Sequence, residues 1–140
     1  METTEKKTIN IFISQPMTGL TNEQIIENRA AAASSLRDKL GEKYNIKIIN
    51  NLQMTEEKKT LEYLGYDIAC MADADLVYFI GDWKTHRGCL VEEFVAKKYG
   101  YKCAYESMMD KLLNIIESNT INYDTHFTTS GASNEENDYK

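Results

Sequence analysis

The chain has 140 residues, 42% of them hydrophobic and 27% charged, the proportions of one globular domain around a single core. Sixteen basic against 22 acidic residues leave a net charge of −6, which excludes the basic excess a duplex nucleic-acid groove needs; a small nucleotide can still be held by local dipoles and one or two cations. No apolar run approaches the roughly 18 residues of a membrane span, and METTEKKTINIF is not a signal peptide, so no membrane association is expected.

TINIFIS (8–14) is a β-branched and aromatic run that predicts a buried strand. SQPMTGLTNEQ follows, with the chain's one proline and a glycine, and reads as a loop. TNEQIIENRAAAASSLRDKLG then predicts a helix, capped by Thr21 or Asn22 and ended by Gly41, with Ile25, Ile26, Ala30, Ala33, Leu36 and Leu40 as its apolar stripe. IKIIN (46–50) is a second strand. TEEKKTLEYLGYDIACMADA is a second helix, with Thr55 as a possible cap and Gly65 as a weak point. DLVYFIG (75–81) is the most strand-like run, DWKTHRG a loop, and CLVEEFVAKKYG a third helix ending at Gly100. YKCAYE is a fourth strand and SMMDKLLNIIES a last helix.

Strands and helices thus alternate strictly over 1–118. That order predicts a three-layer α/β/α domain of the flavodoxin or Rossmann kind, with a mainly parallel sheet of four or five strands, strand one central and right-handed crossovers. Ligands of such sheets sit at the carboxyl ends of the strands, here the loops 14–22, 51–55 and 81–88. The polar stretch 119–140 has no period and reads as a tail, mobile or wrapped on a neighbouring subunit.

Several residues could carry chemistry, each with a plainer alternative. Ser14, Thr18, Gly19 and the backbone N–H groups behind them could cradle an anion, although the loop has neither a P-loop nor a dinucleotide pattern. Asp73 and Asp75 flank the start of the third strand, and Asp75 is most simply structural. Asp67 lies eight residues before Asp75 and is either an exposed helix charge or a site residue. Glu92 and Glu93 point about 100° apart on a helix. Leu90, Phe94 and Val95 supply its apolar side, whereas Cys89, Glu92 and Ala96 share a narrow face of small neighbours that allows close approach to a sheet or ligand. Glu93 has Lys97 four residues on, the spacing of a solvated ion pair. Glu92 is therefore the better candidate for a working carboxylate, against the plainer reading that both are surface charges in a first helical turn. A Cys89 nucleophile with His86 as its base is a further option. Cys70, Cys89 and Cys103 have no close pair and read as reduced, mostly buried thiols of a cytoplasmic protein, and no zinc spacing exists.

IFISQPMTGL, YDIACMADADLVYFIGDW and RGCLVEEFVAKKYG, with Gly88, Glu92, Ala96 and Gly100 at four-residue spacing, carry a resemblance. In that order they resemble the nucleoside 2-deoxyribosyltransferase superfamily over roughly 8–106, and most of all its small bacterial and phage branch, described as a domain of unknown function similar to those transferases. Deoxynucleoside-monophosphate N-glycosidases are among its relatives. The resemblance implies that Glu92 is the nucleophile, attacking the anomeric carbon of a deoxyribose, and that Asp67 contacts the base. It implies a substrate-binding set of Ser14, Met17, Thr18, Gly19, Trp83, His86, Arg87 and Gly88, with no metal and no cofactor. Many of the transferases have an aspartate six residues before the nucleophile where this chain has His86. Arg87 beside it could meet a phosphate, which points to a nucleotide. Family sites are often completed by a second subunit, for which Asn122 and Tyr123 are the candidates here, so a homodimer or larger homo-oligomer is implied, in the cytoplasm of a bacterial or phage-infected cell. The expected function is N-glycosidic cleavage or transfer on a (deoxy)nucleoside or its 5′-monophosphate. The alternatives are a non-catalytic nucleotide-binding protein of the same fold and a structural partner protein whose carboxylates only solvate helix ends.

Overall fold

The run TINIFIS lies within the first strand, β1 (Lys7–Ser14), of a computed structural model that describes residues 5–52 and 59–118. Successive side chains of a strand face opposite ways, and here both ways are apolar. Ile9, Ile11 and Ile13 meet one cluster, and Phe12 meets another. A strand so covered belongs inside a sheet with helices on both faces. Among the described residues β2 (Tyr44–Ile48), β1, β3 (Leu76–Phe79) and β4 (Cys103–Tyr105) stand in that spatial order, all parallel. The register pairs Ile9 with Ile46, Phe12 with Val77 and Ser14 with Phe79.

One layer is formed by α1 (Asn22–Leu40) and the short α4 (Leu112–Glu117), whose Ala32, Leu36, Leu40 and Leu112 pack on Ile9, Ile11, Ile13, Leu76, Tyr78 and Ala104. The other layer is formed by α2 (Thr60–Met71) and α3 (Arg87–Lys98), whose Met71, Cys89 and Ala96 pack on Phe12, Val77, Phe79 and Cys103. The fold is the three-layer α/β/α arrangement the alternation predicts. From β1 the chain goes to β2 on one side, and from β3 to β4 on the other. The carboxyl ends of β1 and β3 therefore flank the point where the winding direction reverses, the usual place for a ligand in such sheets.

Element bounds differ from the sequence reading in physically instructive ways. Thr21, not Asn22, caps α1. Its side chain accepts from Gln24 N–H at 3.1 Å and Gln24 Oε1 accepts from Thr21 N–H at 2.9 Å, a capping box. The buried stripe of α1 is Ile25, Ala32, Leu36 and Leu40; Ile26 and Ala30 face outward and Ala33 is half-buried. Strand β2 starts two residues earlier than predicted, because pairing with β1 and not local composition sets its register. Helix α2 runs unbroken through Gly65. Helix α3 begins at Arg87, after a single 3-10 turn over Trp83–Thr85, and its Leu90 and Phe94 are exposed where the sequence placed them on the apolar side. The predicted last helix is divided: Glu106–Lys111 is 3-10, with non-helical Met108, and only Leu112–Glu117 is α-helical. Asp75 ties β3 to β1, accepting from Asn10 N–H at 2.8 Å while its own N–H donates to Asn10 O at 2.7 Å. Thr55 and the stretch 119–140, with Asn122 and Tyr123, lie outside the described residues.

Leu36 is fully buried between α1 and the sheet. Leu36→Ala should lower the unfolding free energy by about 2–5 kcal/mol, read as a lower urea midpoint at unchanged slope.

Candidate active site

Ser14 closes β1 on the same face as Phe12, toward α2 and α3. Helix α3 lays Cys89, Glu92 and Ala96, spaced three and four apart, against that face. Cys89 and Ala96 are apolar neighbours of the sheet. Glu92 between them is a carboxyl in a core position, 5% exposed. A buried carboxyl must find partners. Ser14 Oγ donates to Glu92 Oε1 at 2.5 Å, and the Glu92 carboxyl shares a second hydrogen bond with the carboxyl of Asp67, from past the middle of α2.

Two carboxyls in one buried place cannot both ionise easily. Burial pushes Glu92 up to about 8, helped by the charge of Asp67 and opposed by the Ser14 bond. Burial also raises Asp67, but three influences pull it back: a bond from Asn51, the bond with Glu92 and the positive charge of Arg29. These influences favour the proton of the pair on Glu92 and the negative charge on Asp67.

Behind Asp67 stands a chain of polar groups that sequence reasoning missed. Asn51 Nδ2 donates to Asp67 Oδ1 at 3.1 Å. Arg29 Nη2 donates to Asn51 Oδ1 at 2.6 Å and to the Ile49 carbonyl at 2.5 Å, and Nη1 donates to Gln15 Oε1 at 3.0 Å. Gln15 Nε2 in turn reaches the Ile25 carbonyl at 3.1 Å. Gln15 and Asn51 are buried, and burial depresses the Arg29 guanidinium against the pull of Asp67. The signal for Arg29 lay in the helix period: it stands between Ile25 and Ala32 on the inward face, where an apolar residue would otherwise be.

Of the sequence-predicted residues, Ser14, Asp67 and Glu92 are brought together. Met17, Thr18 and Gly19 lie on an exposed β-turn closed by Leu20 N–H to Met17 O at 3.1 Å, with Gly19 at φ 85°, the left-handed value that a type II turn needs at its third position. Trp83 is 8% exposed and packs on Phe79 and Tyr105, with ring centroids 5.0 and 5.3 Å away. His86 precedes α3 without capping it, Arg87 is exposed in the first turn, and Gly88 beside it borders open space. Glu93 faces away from the pair. It accepts from Tyr105 OH at 2.7 Å and meets Lys97 Nζ at 3.2 Å, so the expected ion pair forms, with a tyrosine added and less solvent than the sequence suggested. Burial lifts the Cys89 thiol to about 11, which removes the thiolate on which a Cys89–His86 pair depends. Among the described residues no group of His, Cys, Asp and Glu could hold a metal ion, and no helix is long and apolar enough to cross a membrane.

Residues 9–105 match a family described as Domain of unknown function (DUF4406), a span that holds Ser14, Gln15, Arg29, Asn51, Asp67 and Glu92. No curated protein and no solved structure matches the chain.

The proton on Glu92 has a consequence for stability. A carboxyl whose folded value lies above its unfolded one stabilises the fold fully below the unfolded value, and that contribution is lost as pH rises through the folded one. Between pH 4.5 and about 8 the wild type should lose stability relative to Glu92→Gln, which mimics the neutral acid. The difference should slope by up to about 1.4 kcal/mol per pH unit, measured by urea unfolding of both proteins across that range.

Proposed function

The chain belongs to the DUF4406 family, and we propose that it breaks the N-glycosidic bond of a (deoxy)nucleoside or its 5′-monophosphate, with Glu92 as nucleophile and Asp67 as acid. The observation that carries this reading is the buried Glu92 carboxyl, hydrogen-bonded to Ser14 and to Asp67 at the switch point of the sheet. Glycosidic cleavage needs two carboxyls with opposite tasks. Ionised Glu92 attacks the anomeric carbon, and the carbon–nitrogen bond breaks as an ester forms. The electron pair leaves with the base, which takes a proton from Asp67. Water, or a second base, then opens the ester and frees Glu92, and that choice separates hydrolase from transferase. The reaction draws on no cofactor. The likeness of the first loop and the Gly88–Gly100 pattern to the nucleoside 2-deoxyribosyltransferases supports the same assignment.

The start of α3 supports a 5′-phosphate on the substrate. Unlike α1, it has no side-chain cap and no acidic residue in its first turn, and Arg87 stands there. Its free N–H groups and positive end suit an anion. A second reading, a nucleotide-binding protein without turnover, is favoured by one fact: a neutral Glu92 is a hydrogen-bond donor and not yet a nucleophile. In either reading the protein works in the cytoplasm of a bacterial or phage-infected cell. Either reading also includes self-association, through the outward face of α3, where Leu90, Val91 and Phe94 are exposed beside the site. Phe94→Glu should then convert a dimer or larger species to monomer by light scattering.

The decisive measurement is chromatographic release of free base from a panel of deoxynucleosides and their 5′-monophosphates, with and without an acceptor base. Wild type should release base, faster from monophosphates. Glu92→Gln should bind but lose turnover at least about a hundredfold, Asp67→Asn about 10²–10⁴-fold with altered base preference, and Glu93→Gln little. No release by wild type, with binding intact, would leave the binding reading. Full activity in Glu92→Gln would remove the nucleophile from the scheme.

A further inference from the structure

A two-carboxyl site requires that each proton be in the right place, and the polar chain behind Asp67 bears on that placement. Arg29 donates to three acceptors from two segments: Gln15 after β1, and the Ile49 carbonyl and Asn51 after β2. Its fork therefore spans the carboxyl ends of the two strands. Asn51, held by its oxygen, has its amide nitrogen turned toward Asp67. That orientation matters: an amide nitrogen can only donate, so it favours an acceptor, an ionised Asp67, at that oxygen. Ser14, by contrast, is a hydroxyl, able to donate to or accept from Glu92 and so tolerant of either state.

We propose that Arg29 is a positioning residue, which fixes Asn51 against Asp67 and so assigns the negative charge of the carboxyl pair to Asp67 and the shared proton to Glu92 in the ligand-free protein. This rests on the reading of Glu92 and Asp67 as the reacting pair. Among the described residues, the groups that face the pair are Arg29 from α1, Asn51 from the loop after β2, Ser14 from β1 and the neutral Cys89 from α3, and Arg29 is the cation acting on Asp67. It follows that the resting state is inactive. Turnover begins when the proton crosses the hydrogen bond from Glu92 to Asp67: one O–H bond breaks, one forms, and the charge moves the other way. That single transfer makes the nucleophile and the acid together. An electron-poor sugar carbon beside Glu92 favours it, since it stabilises charge there.

The test is titration of the two carboxyl carbons by ¹³C NMR in the ligand-free protein, which needs no substrate. In wild type near pH 7, Glu92 should show the shift of a protonated acid and Asp67 that of a carboxylate. In Arg29→Met the ratio of the two proton placements should move at least about tenfold toward protonated Asp67, one pK unit. Arg29→Lys, which restores the charge without the fork, should recover part of that shift. Asn51→Ser should move the ratio the same way with Arg29 in place, and decides the matter should Arg29→Met not fold. An unchanged ratio in folded Arg29→Met or Asn51→Ser, or a protonated Asp67 in wild type, overturns the assignment. Absence of base release by wild type would instead overturn the glycosidic reading, whatever the carboxyl titration shows.

Discussion

The constraint on which the site depends is one carboxyl set where α3 meets the sheet. Glu92 stands between Cys89 and Ala96 on a face otherwise made to pack. Small neighbours let the helix approach closely, and the approach shuts water away from the carboxyl. From that follow the serine at the end of β1, the neutral state of Glu92, and the need for the charge to settle on a neighbour. An apolar residue at position 92 would pack with less cost. A buried polar group kept at such a cost is more often found at functional sites than in structural cores.

The fold was legible because its signals are local and repeated. Short β-branched and aromatic runs such as TINIFIS and LVYF, buried on both faces, and the alternation of such runs with helical ones suffice for a parallel sheet with two helical layers. Glu92, as against Glu93, was legible for the same reason, since the spacing Cys89, Glu92, Ala96 marks the inward face of α3. What was not legible depends on long-range partners. The bounds of β2 follow from its register on β1. Leu90 and Phe94 carry the right residue types for a core, yet the sheet is already covered by the narrower face beside them. Gln15, Arg29 and Asn51 come from three separate segments and meet only once the chain is wound. Polar residues in loops are common, so nothing local marks Gln15 or Asn51. Arg29 alone left a trace, as a break in the stripe of α1.

Trp83 owes its place to aromatic packing. The resemblance places this one tryptophan in the substrate-binding set. Its indole is instead spent on Phe79 and Tyr105, with Lys84 over its ring at 5.9 Å, and this aromatic stack fills the space under the 3-10 turn.

The exposed turn at Met17–Leu20 has a mechanical side. Gln15 is pinned at one end by Arg29 and the Ile25 carbonyl, and Thr21 at the other by its capping box. The residues between these two anchorages are exposed or half-exposed, and within them Gly19 already holds its left-handed shape. A segment so short and so firmly moored has little disorder to surrender when a guest arrives. Under the proposed function, a ligand meeting this turn would therefore lose less affinity to ordering than at a long free loop, and selectivity would come from the fit of a nearly rigid rim.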